Sequence, residues 1–290
     1  MKDFEGLLKN YPFNGTENKI KSEAKRIIDE HYENNDTSAS LKLIFSCLEI
    51  TSLKSTDNEK TIESLVEKVN LLNEKIPELP KLAGICVYPV CVETVKSLLI
   101  EEIGITSVIG FPSSQTFTAV KLAESALAIS DGATEIDMVL PVGQFLIGNY
   151  DYIFDEIQEI KAAVHEYTLK VILETALLNT YENIFKASII AMEAGADYIK
   201  TSTGKEGSTD IYSVYTMCLA IKAYYEKTGI QHGIKIAGGI NKTQDALLYY
   251  TIIKDVLGEE WLNNEYLRFG ASRLANELIS GILKEENNYF

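Results

Sequence analysis

A repeated unit is the feature of this sequence that most constrains its fold. From about residue 40 the chain alternates a short apolar run, a small polar loop and an amphipathic stretch with helical periodicity. The eight apolar runs are 41-LKLIFSCLEI, 82-LAGICVYP, 105-ITSVIGFP, 134-TEIDMVLP, 169-LKVILET, 196-ADYIKTS, 233-GIKIAGG and 267-LRFGAS. Strand–helix alternation is typical of a parallel sheet, and eight units predict an α/β fold of the closed (β/α)8 (TIM) barrel type. A doubly wound open sheet is the alternative, but it favours fewer strands and a glycine-rich turn after the first strand.

Residues 1–38 lie outside this repeat. They contain a helical segment, 17-ENKIKSEAKRIIDEHYE, and a polar linker, 34-NNDTSAS. We predict an N-terminal helical extension and linker over 1–38, which either packs on the outside or bottom of the barrel or serves an oligomer contact. The barrel itself is predicted over 39–280. A flexible tail is predicted over 281–290, because polar chain ends usually fray. The sequence does not fix the oligomeric state, and a homodimer is kept as a hypothesis.

The net charge of -15 limits the classes of partner. Nucleic acids and anionic membranes are both bound through basic patches, so neither is expected as a partner. No apolar run approaches 18 residues, so no transmembrane helix is predicted. The charged start, 1-MKDFEGLLKNYP, lacks the apolar core of a signal peptide, and we expect a cytoplasmic protein.

Neither cysteine nor histidine spacing indicates a metal site. The four cysteines are Cys47, Cys86, Cys91 and Cys218. They form no C-x-x-C pair, which argues against a disulfide framework and against a zinc site. The three histidines are His31, His165 and His232. Each lies in or beside a polar stretch, so we expect all three at the surface and predict no metal and no cofactor.

Four ionisable residues interrupt the consecutive apolar runs. Asp137 lies inside the fourth run, and Glu174, Lys200 and Lys235 belong to the next three. Active sites of barrels lie at the carboxyl ends of the strands, where these residues are expected. Mutually satisfied ion pairs, or strand ends that reach solvent, are the alternative explanation. That alternative is weaker for all four together, because a core without a task is more cheaply filled with Val and Ile.

Two lysines on adjacent strands favour amine catalysis. An amine attacks a carbonyl group only when it is unprotonated, and both desolvation and a neighbouring cation lower the pKa of a lysine. One of Lys200 and Lys235 would form an iminium ion with a carbonyl substrate, and the other would lower the pKa of the first. Asp137 would accept or relay protons, directly or through a water molecule. The iminium ion serves as an electron sink, so an adjacent C–C bond can break without a metal.

Loops of small residues follow the last three runs. They are 201-TSTGKEGST, 237-AGGINKT and 270-GASR. Glycine allows the backbone to approach a ligand closely, and Ser or Thr can donate to phosphate oxygens. Barrels often bind phosphate after their seventh and eighth strands. The substrate is therefore predicted to be a small phosphorylated carbonyl compound or sugar.

The segments DYIKTSTGK, GIKIAGG, EIDMVLP, GICVYP, KVILET and FGAS resemble those of the deoxyribose-phosphate aldolase family, in that family's order, over roughly residues 40–275. The resemblance implies a lyase, a cofactor-free class I aldolase on a TIM barrel. Such an enzyme cleaves 2-deoxy-D-ribose 5-phosphate reversibly to D-glyceraldehyde 3-phosphate and acetaldehyde, in the catabolism of deoxynucleoside sugars.

The resemblance also implies roles for individual residues. Lys200 would form the Schiff base, Lys235 would lower its pKa, and Asp137 would relay protons. The residues implied to bind the substrate or its phosphate are Thr203, Gly204, Lys205, Gly238, Gly239 and Ser272, with Cys86 near the pocket. Family members can end in a tail whose terminal Tyr assists proton transfer; here Tyr289 is next to last, before Phe290.

Three positions depart from the family pattern. Glu49 stands where the family usually has Asp, one methylene shorter, and is expected to reach a substrate hydroxyl with altered geometry. Ile236 replaces a frequent Pro, which restores a backbone N–H donor. Arg273 replaces a second Ser, so it either brings a charge near the phosphate or points outward. None of these changes removes the lysine pair or Asp137.

Two other classes of function remain open at this point. A phosphate-binding barrel isomerase or synthase would explain the glycine loops but not the lysine pair. A non-catalytic barrel would tolerate loss of Lys200. Borohydride trapping with a carbonyl substrate separates them from the aldolase, because only an imine-forming enzyme is captured covalently.

Overall fold

In the computed structural model, which describes residues 3–290, the strands form one closed parallel barrel in chain order, and β8 pairs with β1. The strands are β1 Leu48–Thr51, β2 Gly84–Val87, β3 Gly104–Ile109, β4 Glu135–Val139, β5 Thr168–Ile172, β6 Tyr198–Lys200, β7 Gly233–Ala237 and β8 Leu267–Ala271. The predicted (β/α)8 barrel is confirmed, and the open-sheet alternative is excluded because no edge strand is left in this sheet.

Helices surround the barrel and connect its strands. They are α1 Phe4–Lys9, α2 Glu17–Asn35, α3 Ser38–Ser46, α4 Glu59–Lys75, α5 Val92–Leu98, α6 Thr118–Ser130, α7 Val142–Leu146, α8 Tyr150–Val164, α9 Tyr181–Glu193, α10 Ile211–Thr228, α11 Thr243–Leu257 and α12 Arg273–Leu283. Short 3₁₀ helices span Pro89–Cys91, Thr175–Leu177 and Glu259–Trp261. No helix within residues 3–290 has the length and apolar character needed to cross a membrane.

The strands carry apolar residues on one side and polar residues on the other. In β4, Ile136 and Met138 are fully buried in the hydrophobic core, whereas Asp137 between them contacts lysines of other strands. Successive side chains of a strand point to opposite faces, so the apolar set packs against the helices and the polar set lines the barrel. This alternation places the polar and charged side chains inside the barrel.

The first apolar run is largely a helix, which corrects its interpretation as a strand. Residues 41–46 belong to α3, whose N-cap Thr37 accepts the backbone N–H of Ser40 at 3.1 Å. Leu41, Ile44 and Phe45 are buried at helical spacing. A continuous apolar run does not distinguish a strand from a buried helix, and only its end, Leu48–Thr51, is extended.

The N-terminal extension packs on the barrel's helices. Helix α2 lies against α10 and α11 and buries Ile20, Ala24 and Ile27. At its end, the Asn35 side chain donates to Thr251 Oγ1 at 3.2 Å. The division of the chain at residue 39 and the flexible tail stay predictions.

The expectation that every histidine lies at the surface is wrong for His232. This residue is buried, its Nδ1 lies 2.8 Å from the Ala196 carbonyl oxygen, and its ring packs edge-on against Tyr224. The polar residues around it in the sequence belong to the turn that enters β7, and Tyr224 of α10 covers the imidazole ring itself.

Candidate active site

Every strand contributes a polar side chain to the barrel interior. These residues are Glu49, Cys86, Thr106, Glu135, Asp137, Lys170, Lys200, Lys235 and Arg268, and all are buried. The register sets Asp137 opposite Lys170, and Lys200 opposite Lys235. Parallel pairing therefore brings charges from distant parts of the sequence to neighbouring levels of one barrel.

Asp137 is the centre of this cluster. Its Oδ2 accepts hydrogen bonds from Lys200 Nζ at 2.7 Å and from Lys235 Nζ at 2.8 Å, and its Oδ1 accepts from Lys170 Nζ at 3.0 Å. Burial opposes ionisation of this carboxyl, but the three ammonium groups outweigh burial and hold its pKa well below the ordinary value. Asp137 is thus an ionised carboxylate in contact with both lysines of the predicted pair.

Glu49 and Glu135 form a second set of contacts around Lys170 and Arg268. Arg268 donates to Glu49 at 3.1 Å and to Glu135 at 3.1 Å. Lys170 pairs with Glu135 and lies 3.6 Å from Glu49. Thr106 Oγ1 is 3.1 Å from a carboxylate oxygen of each glutamate. The Glu49 carboxylate is engaged with these cations and with Lys235, and its contact with a substrate hydroxyl stays a prediction.

The carboxylates keep Lys235 charged. Burial lowers the pKa of Lys235, but the neighbouring Asp137 and Glu49 outweigh burial and raise it to about 12. Burial favours the neutral form of Glu49, and the cations Lys170, Lys235 and Arg268 nevertheless lower its pKa to about 2. The structure therefore presents Lys235 as a fixed ammonium group beside Lys200.

Lys200 differs from the other basic groups of the cluster. Lys235 and Arg268 each pair with two carboxylates, and Lys170 with three. Lys200 pairs with Asp137 alone among residues 3–290. Four basic side chains share the carboxylates of Glu49, Glu135 and Asp137. One of them is therefore left without a full compensating charge, and Lys200 is the least constrained.

Sequence reasoning missed part of this cluster. Lys170, Glu135 and Arg268 lie within the apolar runs but are not among the predicted site residues. The available signal was their spacing: Glu135 lies two residues before Asp137, which places both on the same face of β4. Their pairing across the barrel was not readable from that spacing.

Glu174 does not join the lysine cluster. It follows β5 with a left-handed backbone, φ 54°, and its carboxylate faces the loop after β6. The position of Glu174 at a strand end predicts that it lies beside the lysines. The turn into the 3₁₀ helix Thr175–Leu177 instead directs its side chain towards the loop after β6.

The loops after β6 and β7 lie against each other. The Thr209 N–H donates to the Gly238 carbonyl oxygen at 3.2 Å. A Cβ added to Gly204 would lie 3.6 Å from the Gly238 Cα. Gly204, Gly238 and Gly239 have φ values of 73°, 95° and 82°, a conformation that favours glycine. These three predicted phosphate-site residues therefore form one surface near the barrel mouth, next to Thr203.

Lys205 closes over the mouth of the barrel. Its Nζ donates to the Leu53 carbonyl oxygen at 2.7 Å, and the Tyr88 hydroxyl donates to the same oxygen at 3.2 Å. Leu53 packs with Cys86 and Val108 in a small apolar cluster. The Cys86 thiol is fully buried there, and burial raises its pKa.

Ser272 and Tyr289 lie beside α12 and α4, respectively. Ser272 precedes α12 and lines a cavity of about 390 Å³ with Thr51 and the exposed Arg273. The Tyr289 hydroxyl donates to the Lys68 carbonyl oxygen at 2.7 Å, which holds it against α4. The structure thus does not bring Tyr289 to the lysine cluster.

Among residues 3–290, one group of side chains has the spacing of metal ligands. Ligand atoms of Glu49, Cys86 and Asp137 lie within 4.8 Å of one another. The two carboxylates already accept hydrogen bonds from Lys235, and burial disfavours the thiolate of Cys86. A donor set occupied by ammonium groups does not suit a divalent cation, because binding would place like charges together.

By family and by sequence, this chain is similar to known aldolases. Residues 31–256 match the family described as DeoC/LacD family aldolase. The deoxyribose-phosphate aldolase of Homo sapiens is 39% identical over 249 residues, which are 80% of this chain and 77% of the human protein. That of Bos taurus is 38% identical over 251 residues, with the same shares of 80% and 77%.

Solved structures agree with the fold. QR15, an aldolase, is 29% identical, with a TM-score of 0.67 over 83% of this chain and 98% of that chain. The tetrameric deoxyribose phosphate aldolase from Aeropyrum pernix is 23% identical, with a TM-score of 0.64 over 92% and 98% of the two chains, and that similarity bears on the fold alone.

Proposed function

The chain belongs to the DeoC/LacD aldolase family, and we propose that this aldolase cleaves 2-deoxy-D-ribose 5-phosphate reversibly to D-glyceraldehyde 3-phosphate and acetaldehyde. The named mammalian relatives support this substrate. The observation that carries the proposal is the contact of Lys200 with Asp137 beside an ammonium group, Lys235, which two carboxylates hold in place.

Lys200 is the nucleophile in this proposal. Its amine adds to C1 of the open-chain sugar, and loss of water from the resulting carbinolamine gives an iminium ion. Lys235 is the weaker candidate for this role, because Asp137 and Glu49 stabilise its charged form. Lys235 is instead proposed to act as the fixed cation beside that amine.

Cleavage of the C2–C3 bond follows from the iminium ion. A base removes the proton of the C3 hydroxyl, the C2–C3 electron pair moves into the iminium, and D-glyceraldehyde 3-phosphate leaves. The remaining enamine is protonated at C2, and water hydrolyses the new iminium to acetaldehyde and free Lys200. Asp137 is placed to take up and return these protons, directly or through water, because it is ionised and contacts Lys200.

The phosphate is proposed to bind at the surface formed by Gly204, Gly238 and Gly239. Their backbone allows close approach, and Lys205 supplies a positive charge once its ammonium group leaves the Leu53 carbonyl. Ser272 at the start of α12 completes the proposed phosphate contacts, and Thr203 shapes this surface through its hydrogen bonds with Glu174 and Lys205.

Borohydride trapping tests the imine. The protein is incubated with 2-deoxyribose 5-phosphate and sodium borohydride, and its intact mass and peptide map are measured. One stable adduct on Lys200 is expected, with none in Lys200→Met. Lys121→Met is the matched control, because Lys121 is also buried and ion-paired but lies between α6 and α8; it should keep the adduct. A folded wild-type protein without an adduct would contradict the proposal.

We also propose that the protein forms a homodimer and that it is located in the cytoplasm. The exposed apolar side chains Phe117, Val120 and Leu127 on and beside α6 support a contact between copies. The four cysteines are free thiols, as is usual in a reducing compartment. Light scattering of the purified protein and cell fractionation would test the two statements.

A further inference from the structure

Glu174 is a buried carboxylate that the proposed mechanism does not use. Its residue is 1% exposed, and its φ of 54° is uncommon for a residue other than glycine. A buried carboxylate costs free energy unless hydrogen bonds compensate it, and a left-handed backbone adds to that cost. The contacts of Glu174 should therefore show what compensates both costs.

All hydrogen bonds found for the Glu174 side chain come from the loop after β6. Its Oε1 accepts from Ser202 Oγ at 2.7 Å. Its Oε2 accepts from the Thr203 backbone N–H at 3.1 Å and from Thr203 Oγ1. Within residues 3–290 no basic side chain pairs with this carboxylate. The Glu174 carboxylate thus accepts hydrogen bonds from two successive residues of a single loop.

The hydroxyls of Ser202 and Thr203 connect Glu174 to the proposed phosphate surface through further hydrogen bonds. Ser202 Oγ accepts the Gly204 N–H at 2.9 Å, and Thr203 Oγ1 accepts the Lys205 N–H at 3.1 Å. Because each hydroxyl gives its proton to Glu174, its lone pairs are free for these N–H groups. Ser202 also lies close against the β7 loop, since a Cβ added to Gly238 would lie 2.9 Å from its Oγ.

We propose that Glu174 is the positioning residue of the phosphate site and thereby sets the preference of the enzyme for phosphorylated substrates. This inference rests on the proposed function. A carboxylate near a phosphate would, through its charge alone, weaken phosphate binding. A carboxylate that organises the loop strengthens it. The two effects have opposite signs, so removing the charge distinguishes them.

The test is steady-state kinetics of Glu174→Gln with 2-deoxyribose 5-phosphate, together with borohydride trapping by acetaldehyde, which carries no phosphate. An amide cannot accept at both ends, so at least one loop hydrogen bond is lost. We expect the KM for the phosphorylated sugar to rise about tenfold, the scale of one hydrogen bond to a charged group. The trapping rate with acetaldehyde should stay within about twofold, because Lys200 does not contact Glu174.

Two further variants keep the result interpretable. Ser202→Ala removes the hydroxyl that links Glu174 to the Gly204 N–H. It should also raise the KM for 2-deoxyribose 5-phosphate, which tests the inference if Glu174→Gln folds poorly. Glu156→Gln is the matched control, since Glu156 is 2% exposed and pairs with Lys121 away from the loop. This control should leave unchanged the ratio of 2-deoxyribose 5-phosphate cleavage to acetaldehyde trapping.

The inference would be overturned if neither Glu174→Gln nor Ser202→Ala raised the KM for 2-deoxyribose 5-phosphate. It would also be overturned if cleavage of this sugar and trapping by acetaldehyde fell by the same factor. Failure of the proposed function looks different. In that case the wild-type protein itself gives no cleavage of 2-deoxyribose 5-phosphate and no adduct on Lys200.

Discussion

At the scale of single residues, the site is a balance between burial and pairing. Asp137 and Glu49 are fully buried, yet both are ionised because lysines and Arg268 surround them. Burying these charges is costly, and only the complete set of partners compensates the cost. The cluster therefore serves the position of Lys200 and Lys235 more than it serves stability.

Glu49→Gln should show this coupling as a loss of stability that depends on pH. Removing one partner of a buried ion pair leaves the other uncompensated, so we expect the free energy of unfolding to fall by about 3 kcal/mol at pH 7. The folded pKa of Glu49, about 2, lies below its ordinary value of 4.5. Its stabilising contribution is thus complete above about pH 4.5 and is lost as the pH falls towards 2.

Urea unfolding of wild type and variant from pH 3 to pH 8 measures this difference. The gap between the two should be constant above about pH 4.5 and narrow below it. Glu63→Gln, at an exposed position of α4, is the control and should show no such gap. A gap that widens in acid would refute the assignment of Glu49 as an ionised partner.

At the scale of elements, strands hold the proposed reacting groups and loops hold the proposed phosphate site. Lys200 and Lys235 are fixed by the pairing of β6 with β7. The loops that follow these strands carry the glycines with positive φ, and hydrogen bonds such as that from the Gly204 N–H to Ser202 Oγ hold them. Chemistry and phosphate recognition can therefore be changed separately.

Gly238→Ala should impair phosphate recognition alone. At φ 95° the added methyl group is strained, and it would lie 2.9 Å from Ser202 Oγ, so the two loops must separate. We expect the KM for 2-deoxyribose 5-phosphate to rise about tenfold or more, with acetaldehyde trapping unchanged. Gly229→Ala is the matched control, because Gly229 has φ 72° but no atom within 4 Å of the added methyl. Equal kinetic effects of both variants would show that backbone strain alone is responsible.

At the scale of the whole molecule, the N-terminal extension is part of the packed core. Ile27 of α2 is buried with the residues of α10 and α11 in the same hydrophobic cluster that surrounds the barrel. The extension lies on the helical layer, whereas Lys200 and Lys235 lie inside the barrel. Its contribution should therefore be to stability.

Ile27→Ala should destabilise the protein by about 2–4 kcal/mol, the usual cost of a cavity left by a truncated core side chain. The value of kcat should not change, because the cavity is separated from Lys200 by the barrel wall. Chemical denaturation and steady-state kinetics of the same preparation measure both. Ile147→Ala, at a residue that is 75% exposed, is the control for the loss of apolar volume. A stable Ile27→Ala variant with reduced kcat would place the extension in the catalytic machinery.

The sequence by itself determined the repeat of strands and helices and the candidates Lys200, Lys235 and Asp137. These follow from local periodicity and from charges that interrupt apolar runs, which are properties of a short stretch of chain. It did not separate α3 from β1, because a continuous apolar run suits both a strand and a buried helix.

Only the tertiary structure decided which charges meet. Lys200 and Asp137 are 63 residues apart, and Lys235 and Glu49 are 186 apart. Closure and register of the barrel bring them into contact, add Lys170 to the same cluster, and direct Glu174 away to a loop. Ion pairing depends on distances of a few ångströms, which the order of residues along a chain does not specify.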